Sequence, residues 1–137
     1  MTEDFLDAHQ RYWDDAERLY AANRWANADH LYGLSAECGL KGLTERLKGT
    51  NLARNEFLHI MEPKKPSNAW DIFETFRAGH HLGSKFAMPT LNPFTNWDVS
   101  QRYAHQSHFN PALVDPHREG AKMVSEFIKV ADKEGLL

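Results

Sequence analysis

Hydrophobic positions recur at helical spacing over most of the chain, and nowhere do they alternate for long enough to predict a strand. The clearest run is Trp25–Lys48, which contains no proline. Trp25, Ala28, Leu31, Tyr32, Ser35, Cys38, Gly39, Gly42, Leu43 and Leu47 fall on one broad apolar-to-small face. That face is wider than a surface helix needs, so this second helix is expected at the centre of the domain. Glycine inside a helix costs about 1 kcal/mol relative to alanine. Gly39 and Gly42 therefore predict that a neighbouring helix comes close to bare backbone. The opposite stripe is polar: His30, Glu37, Lys41, Thr44 and Lys48. Glu37 and Lys41 stand one turn apart in the favourable order for an ion pair.

The same reading predicts a first helix over about Asp4–Ala22, with Phe5, Ala8, Tyr12, Ala16 and Leu19 in a stripe that Trp13 and Tyr20 broaden. Asn23-Arg24 is a short joint, which implies antiparallel neighbours. Gly49 and Thr50 stop the second helix. The stretch from Asn51 to Pro66 is ambiguous, with a short helix around Leu52–Ile60 as one option and a proline-bounded loop after it. Ser67 reads as the cap of a third helix carrying Trp70, Ile72, Phe73 and Phe76. Ser84–Phe94 reads as a loop. Thr95 with Asp98 makes a capping box that predicts a fourth helix reaching Phe109. Asp115-Pro116 predicts the start of a fifth, running to about Glu134 with Ala121, Val124, Phe127, Ile128 and Ala131 on its inner face. The expected fold class is all-α, an up-down bundle of about five helices in one domain spanning residues 1–137.

Composition narrows the function classes. The 137 residues suit one packed core. A net charge of −3 argues against a constitutive nucleic-acid scaffold, but leaves room for a site that grips a phosphate with one or two cations. One cysteine excludes an internal disulfide and a cysteine-rich zinc site, and fits a reducing, cytoplasmic location. Cys38 lies on the packing face and reads as structural. The acidic, polar start MTEDFLDAHQ is unlike a signal peptide.

Eight histidines are the unusual figure. His105 and His108 are three residues apart and could present two nitrogens to one ion. A third ligand would have to come from His80, His81 or Glu37, and no HExxH or Glu-x-x-His bundle motif is present. No metal or other cofactor is expected. His30, His59 and His117 have no distinctive sequence partners and read as surface or satisfied core positions.

The stretch NPFTNWDVSQRYAHQSHFNP, Asn92–Pro111, carries the candidate chemistry. On a helix, Trp97, Ser100, Tyr103 and Ala104 would share a packing face, with Asp98, Arg102 and His105 on the other side. Arg102 and His105 would stand one turn apart. His108 would lie about 120° round from Arg102. A histidine near neutral pH can move a proton, and a guanidinium can hold two phosphate oxygens. The plainer readings are an Arg102–Asp98 pair on a solvated face, histidines suited to a helix C-terminus, and a Glu37 that serves only Lys41.

Two features together carry a family resemblance. LYGLSAECGLKGLTERL resembles the second helix of HEPN-domain proteins, and Arg102 and His108, with five residues between them, resemble the R-x(4–6)-H motif of that superfamily. The resemblance implies an all-α, commonly dimeric bundle. It implies RNA or a nucleotide as ligand, and metal-independent ribonuclease activity of toxin type with Arg102 and His108 as the motif pair. It also implies a small nucleotidyltransferase antitoxin as partner in some members, and partner binding without catalysis in others. Tyr103 departs from the pattern, since catalytic members usually carry a polar residue there, and His105 is a rival to His108. Glu37 would orient Arg102 if the second and fourth helices are neighbours. Asp98 and Lys41 complete the set of candidate orienting or phosphate-binding residues, and Lys64-Lys65 could add a phosphate contact.

Overall fold

The computed structural model describes residues 1–137 and contains four α-helices and no strand. These are α1 (Phe5–Ala21), α2 (Trp25–Lys48), α3 (Ala69–Ala78) and α4 (Pro111–Lys133). Asp4 opens α1 by accepting a hydrogen bond from the Asp7 N–H, which satisfies one of the helix's free donors. Asn23, at φ 59°, makes the sharp turn into α2, a left-handed conformation that asparagine tolerates better than most residues. Gly49, at φ 82°, ends α2. No helix is long and apolar enough to cross a membrane.

α2 is the central element. It packs against α1, α3 and α4, and its buried residues run from Ala28 to Leu47. The expected close approach at its glycines is present. A Cβ on Gly39 would collide with Val124 of α4 and the His9 ring of α1. His9 is itself buried, with Nδ1–H donating to the Ser35 carbonyl (2.8 Å) and Nε2 accepting from the Ser125 hydroxyl (2.9 Å). One neutral imidazole thus ties three helices together. Burial lowers its pKa, because a charged ring would lose its hydration. At the other end of the bundle, Glu17 of α1 accepts from the Tyr32 hydroxyl (2.7 Å) and from Arg118 of α4 (2.8 and 3.0 Å).

Several expected boundaries are corrected. The fourth helix does not form. Its residues make two short 3-10 turns, Val99–Tyr103 and Gln106–His108, with extended backbone at Ala104 and His105. The reason is local competition. Asp98 accepts from the Ser100 N–H and hydroxyl, Gln101 returns a carbonyl oxygen to the Asp98 N–H, and His105 Nδ1 accepts from the Ser107 N–H. Short polar side chains that bond nearby backbone offer an alternative to the helix ladder. The capping box therefore belongs to Asp98 and Gln101, not to Thr95 and Asp98.

The last helix starts earlier than expected. Asn110 caps it and Pro111 takes its first position, so the cap-plus-proline signal at Asp115-Pro116 lies inside the helix, where Pro116 forgoes one bond to the Ala112 carbonyl. α3 is capped by Asn68, one residue after Ser67. In the ambiguous stretch the helical content is one 3-10 piece, Arg54–Glu56, followed by a turn at Pro63-Lys64.

The polar stripe of α2 is the largest departure from a simple amphipathic helix. Glu37, Lys41 and Thr44 are buried. The connecting segments cover them: residues 50–68, carrying Phe57 and His59, and residues 84–110, carrying Phe86, Phe94 and Trp97 into the core. The second of these segments is pinned by a buried polar network. Trp97 Nε1–H donates to the Asp29 carbonyl (3.1 Å), and the Asp29 carboxylate accepts from His117 Nδ1–H and from the Gln101 amide. His117 Nε2 lies 2.7 Å from the Asn96 side-chain oxygen.

Candidate functional site

Two features carry the candidate chemistry, and residues 97–102 contribute to both. The first is a cleft of about 360 Å³ at the N-terminus of α2. Its polar lining is Asn23, Arg24, Asn27, Gln101, Arg102 and Gln106, and no carboxylate faces it. Arg24 precedes α2 without making a side-chain cap, so the opening N–H groups of the helix keep their unsatisfied donors. Neither Arg24 nor Arg102 forms an ion pair. The Arg102 guanidinium lies over the Tyr103 ring, 4.9 Å from its centroid. Cation–π contact of this kind orients the group without neutralising it.

The second feature is built around the covered stripe of α2. Glu37 uses both carboxylate oxygens: Oε2 accepts from Lys41 Nζ (2.8 Å) and Oε1 from His59 Nδ1–H (2.8 Å). The Glu37–Lys41 pair expected from the spacing is present, and it is buried. The Lys41 ammonium also faces the Phe5 and Phe57 rings, 5.6 and 5.7 Å from their centroids. Burial by itself would raise the Glu37 pKa. The His59 hydrogen bond and the Lys41 charge outweigh that and hold the carboxyl below its ordinary range. The same hydrogen bond raises His59 above an ordinary histidine, against the opposing effect of partial burial.

His59 and His30 both pack on Trp97, at ring-centroid distances of 6.5 and 5.8 Å, His30 nearly parallel to the indole. His30 is half-buried, and its Nδ1 is enclosed without a hydrogen-bond partner. Burial lowers its pKa, and the positive charges of Arg102 and His59 add to that. His30 thus lies within range of the charges of both Arg102 and His59.

The sequence candidates are placed as follows. Arg102 lines the cleft. Asp98 does not pair with it, because its carboxylate is taken by Ser100, whose hydrogen bonds hold its pKa low. Glu37 does not reach Arg102 and orients His59 instead. Lys41 is enclosed beside Glu37. His105 and His108 are exposed, and the only side-chain bonds of His105 go to Ser107. Tyr103 and Ser100, assigned to a packing face, are exposed, Tyr103 at 79%. No three His, Cys, Asp or Glu side chains converge as a metal-ligand set. Missed from the sequence were Arg24, His30 and His59. His30 and Glu37 are seven residues apart on one helical face, a signal the sequence did contain; the pairing of His59 with Glu37 depends on how the loop folds back.

Comparison with known families, curated proteins and solved structures returns no match: no family model, no curated protein and no solved structure aligns significantly with this chain.

Proposed function

We propose that this chain is a HEPN-type helical domain that acts on RNA or a nucleotide, binding phosphate in the Arg24–Arg102 cleft and cleaving the bound RNA without a metal. The observation that carries this reading is the cleft itself. In a protein of net charge −3, it offers two guanidinium groups free of ion pairs, three unengaged amide side chains (Asn23, Asn27 and Gln106) and a helix N-terminus, with no opposing carboxylate. Guanidinium binds phosphate oxygens in pairs, and helix N-termini favour anions. Cleavage through the 2′-hydroxyl of RNA needs charge on the phosphorane and a group that moves a proton, and cations and histidines supply both.

The experiment is binding and cleavage of a single-stranded RNA pool in EDTA, with the parent chain, Arg24→Ala and Arg102→Ala. The expected result is a product ending in a 2′,3′-cyclic phosphate, with both variants weakening RNA binding. An RNA pool that is neither bound nor cut removes the proposal.

The exposed Tyr103 and Leu91 support a second reading, a helical module that docks a partner protein or a second copy of itself without catalysis. Retained partner binding by a chain that ignores RNA would favour it.

A further inference from the structure

We propose that His59, not the motif histidine His108, is the catalytic proton donor of this surface, with Glu37 as its positioning residue; this rests on the RNA-cleaving reading above. The geometry is that of a histidine oriented by a carboxylate. Nδ1–H is fixed on Glu37 Oε1 at 2.8 Å, and Glu37 is in turn fixed by Lys41. The other ring nitrogen, Nε2, makes no hydrogen bond within the chain and is not fully enclosed, and the side chain is 37% exposed beside Trp97. A ring held on one nitrogen and free on the other is what proton transfer to a bound strand requires. His105 and His108 have no such orienting carboxylate; His105 Nδ1 is taken up by Ser107.

The charged and titratable groups around His59 favour its protonated form on balance. Glu37 from α2 and Glu62 from its own segment raise its affinity for a proton, while Lys41 opposes them. His30 of α2 and Asp98 of the Trp97 segment are also within range of its charge. The ring therefore holds its proton to higher pH than a free histidine does. In the proposed step the 2′-oxygen attacks phosphorus and loses its proton to solvent. The bond from phosphorus to the 5′-oxygen breaks, and His59 Nε2–H gives its proton to that departing oxygen. The products are a 2′,3′-cyclic phosphate and a 5′-hydroxyl, and solvent returns a proton to His59. Arg102, which stands on the same segment as Trp97, offsets the phosphate charge.

The test compares the parent chain with His59→Asn, His59→Ala, His108→Ala and Glu37→Gln on an RNA oligonucleotide in EDTA. Affinity is measured separately with a 2′-O-methyl strand that cannot be cleaved. Asparagine keeps an amide N–H near the Nδ1 position for Glu37 but has nothing at Nε2. The expected result is a loss of cleavage of roughly a hundredfold or more in His59→Asn, with affinity for the 2′-O-methyl strand changed only a few-fold. Free imidazole should restore part of the activity of His59→Ala. In Glu37→Gln the alkaline limb of the pH–rate profile should move to lower pH, because the acid has lost its supporting charge. Parental cleavage by His59→Asn, or a larger loss in His108→Ala than in His59→Asn, overturns the proposal. Arg102-dependent binding with no cleavage by the parent chain overturns it too, while leaving the binding reading in place. Absence of Arg102-dependent binding removes both.

Discussion

The indole of Trp97 occupies the volume that a side chain at position 33 would fill: a Cβ built on Gly33 would overlap Trp97 Cε2 and Nε1. One turn earlier on α2, the Asp29 carbonyl takes the indole N–H. The absence of a side chain at Gly33 thus seats the segment that carries Asp98 to Arg102, and with it one wall of the cleft. Gly33→Ala is expected to displace Trp97 and to destabilise the fold by about 1–3 kcal/mol, as overpacking does. Thermal denaturation followed by tryptophan fluorescence checks it; an unchanged transition would mean that the indole has another place to go.

Arg102 should separate function from stability. Its side chain is exposed and in no ion pair, so Arg102→Ala is expected to leave the melting temperature within about 1–2 °C, as surface changes within ~0.5 kcal/mol do. If the cleft binds a phosphodiester strand, the salt dependence of affinity should become shallower by about one counterion's worth in this variant. An unchanged slope would place the phosphate elsewhere.

His9 and His59 should pull the pH dependence of stability in opposite directions. The folded-state pKa of His9 is lowered by burial, so its contribution is complete above the unfolded value of 6.5 and is lost as pH falls through the folded value. The folded-state pKa of His59 is raised by Glu37, so its contribution is complete below 6.5 and is lost as pH rises through the folded value. Melting curves between pH 5 and 8, a range in which roughly all free histidine titrates, should show His9→Gln removing a loss of stability on the acid side. His59→Asn should remove a loss on the alkaline side. Parallel curves for parent and variants would contradict both assignments.

A dimer is expected as well. The resemblance implies one, and Tyr103 and Leu91 are large exposed hydrophobic side chains that a second copy could cover. Sedimentation at micromolar concentration should show a species of twice the chain mass. A monomer at that concentration would leave any active site to a single chain.

The sequence by itself determined what depends on periodicity and short-range chemistry. α1 and α2 could be placed almost to the residue, because the apolar stripe of α2 is long and Gly49 ends it with a left-handed turn. Gly39 signalled a close helix approach because a glycine there has no other use, and the Glu37–Lys41 pair followed from four-residue spacing. Tertiary structure decided the rest. The Asp98–His108 stretch had a capping signal, but Val99 alone of its apolar residues packs against the core while Tyr103 is exposed, and its polar side chains bonded their own backbone. The burial of the polar stripe of α2 could not be read, because nothing local shows that Phe57, His59 and Trp97 fold over it. Glu37 and His59 are 22 residues apart. A hydrogen bond across that distance depends on the whole path of the connecting loop, which carries no period from which it could be read.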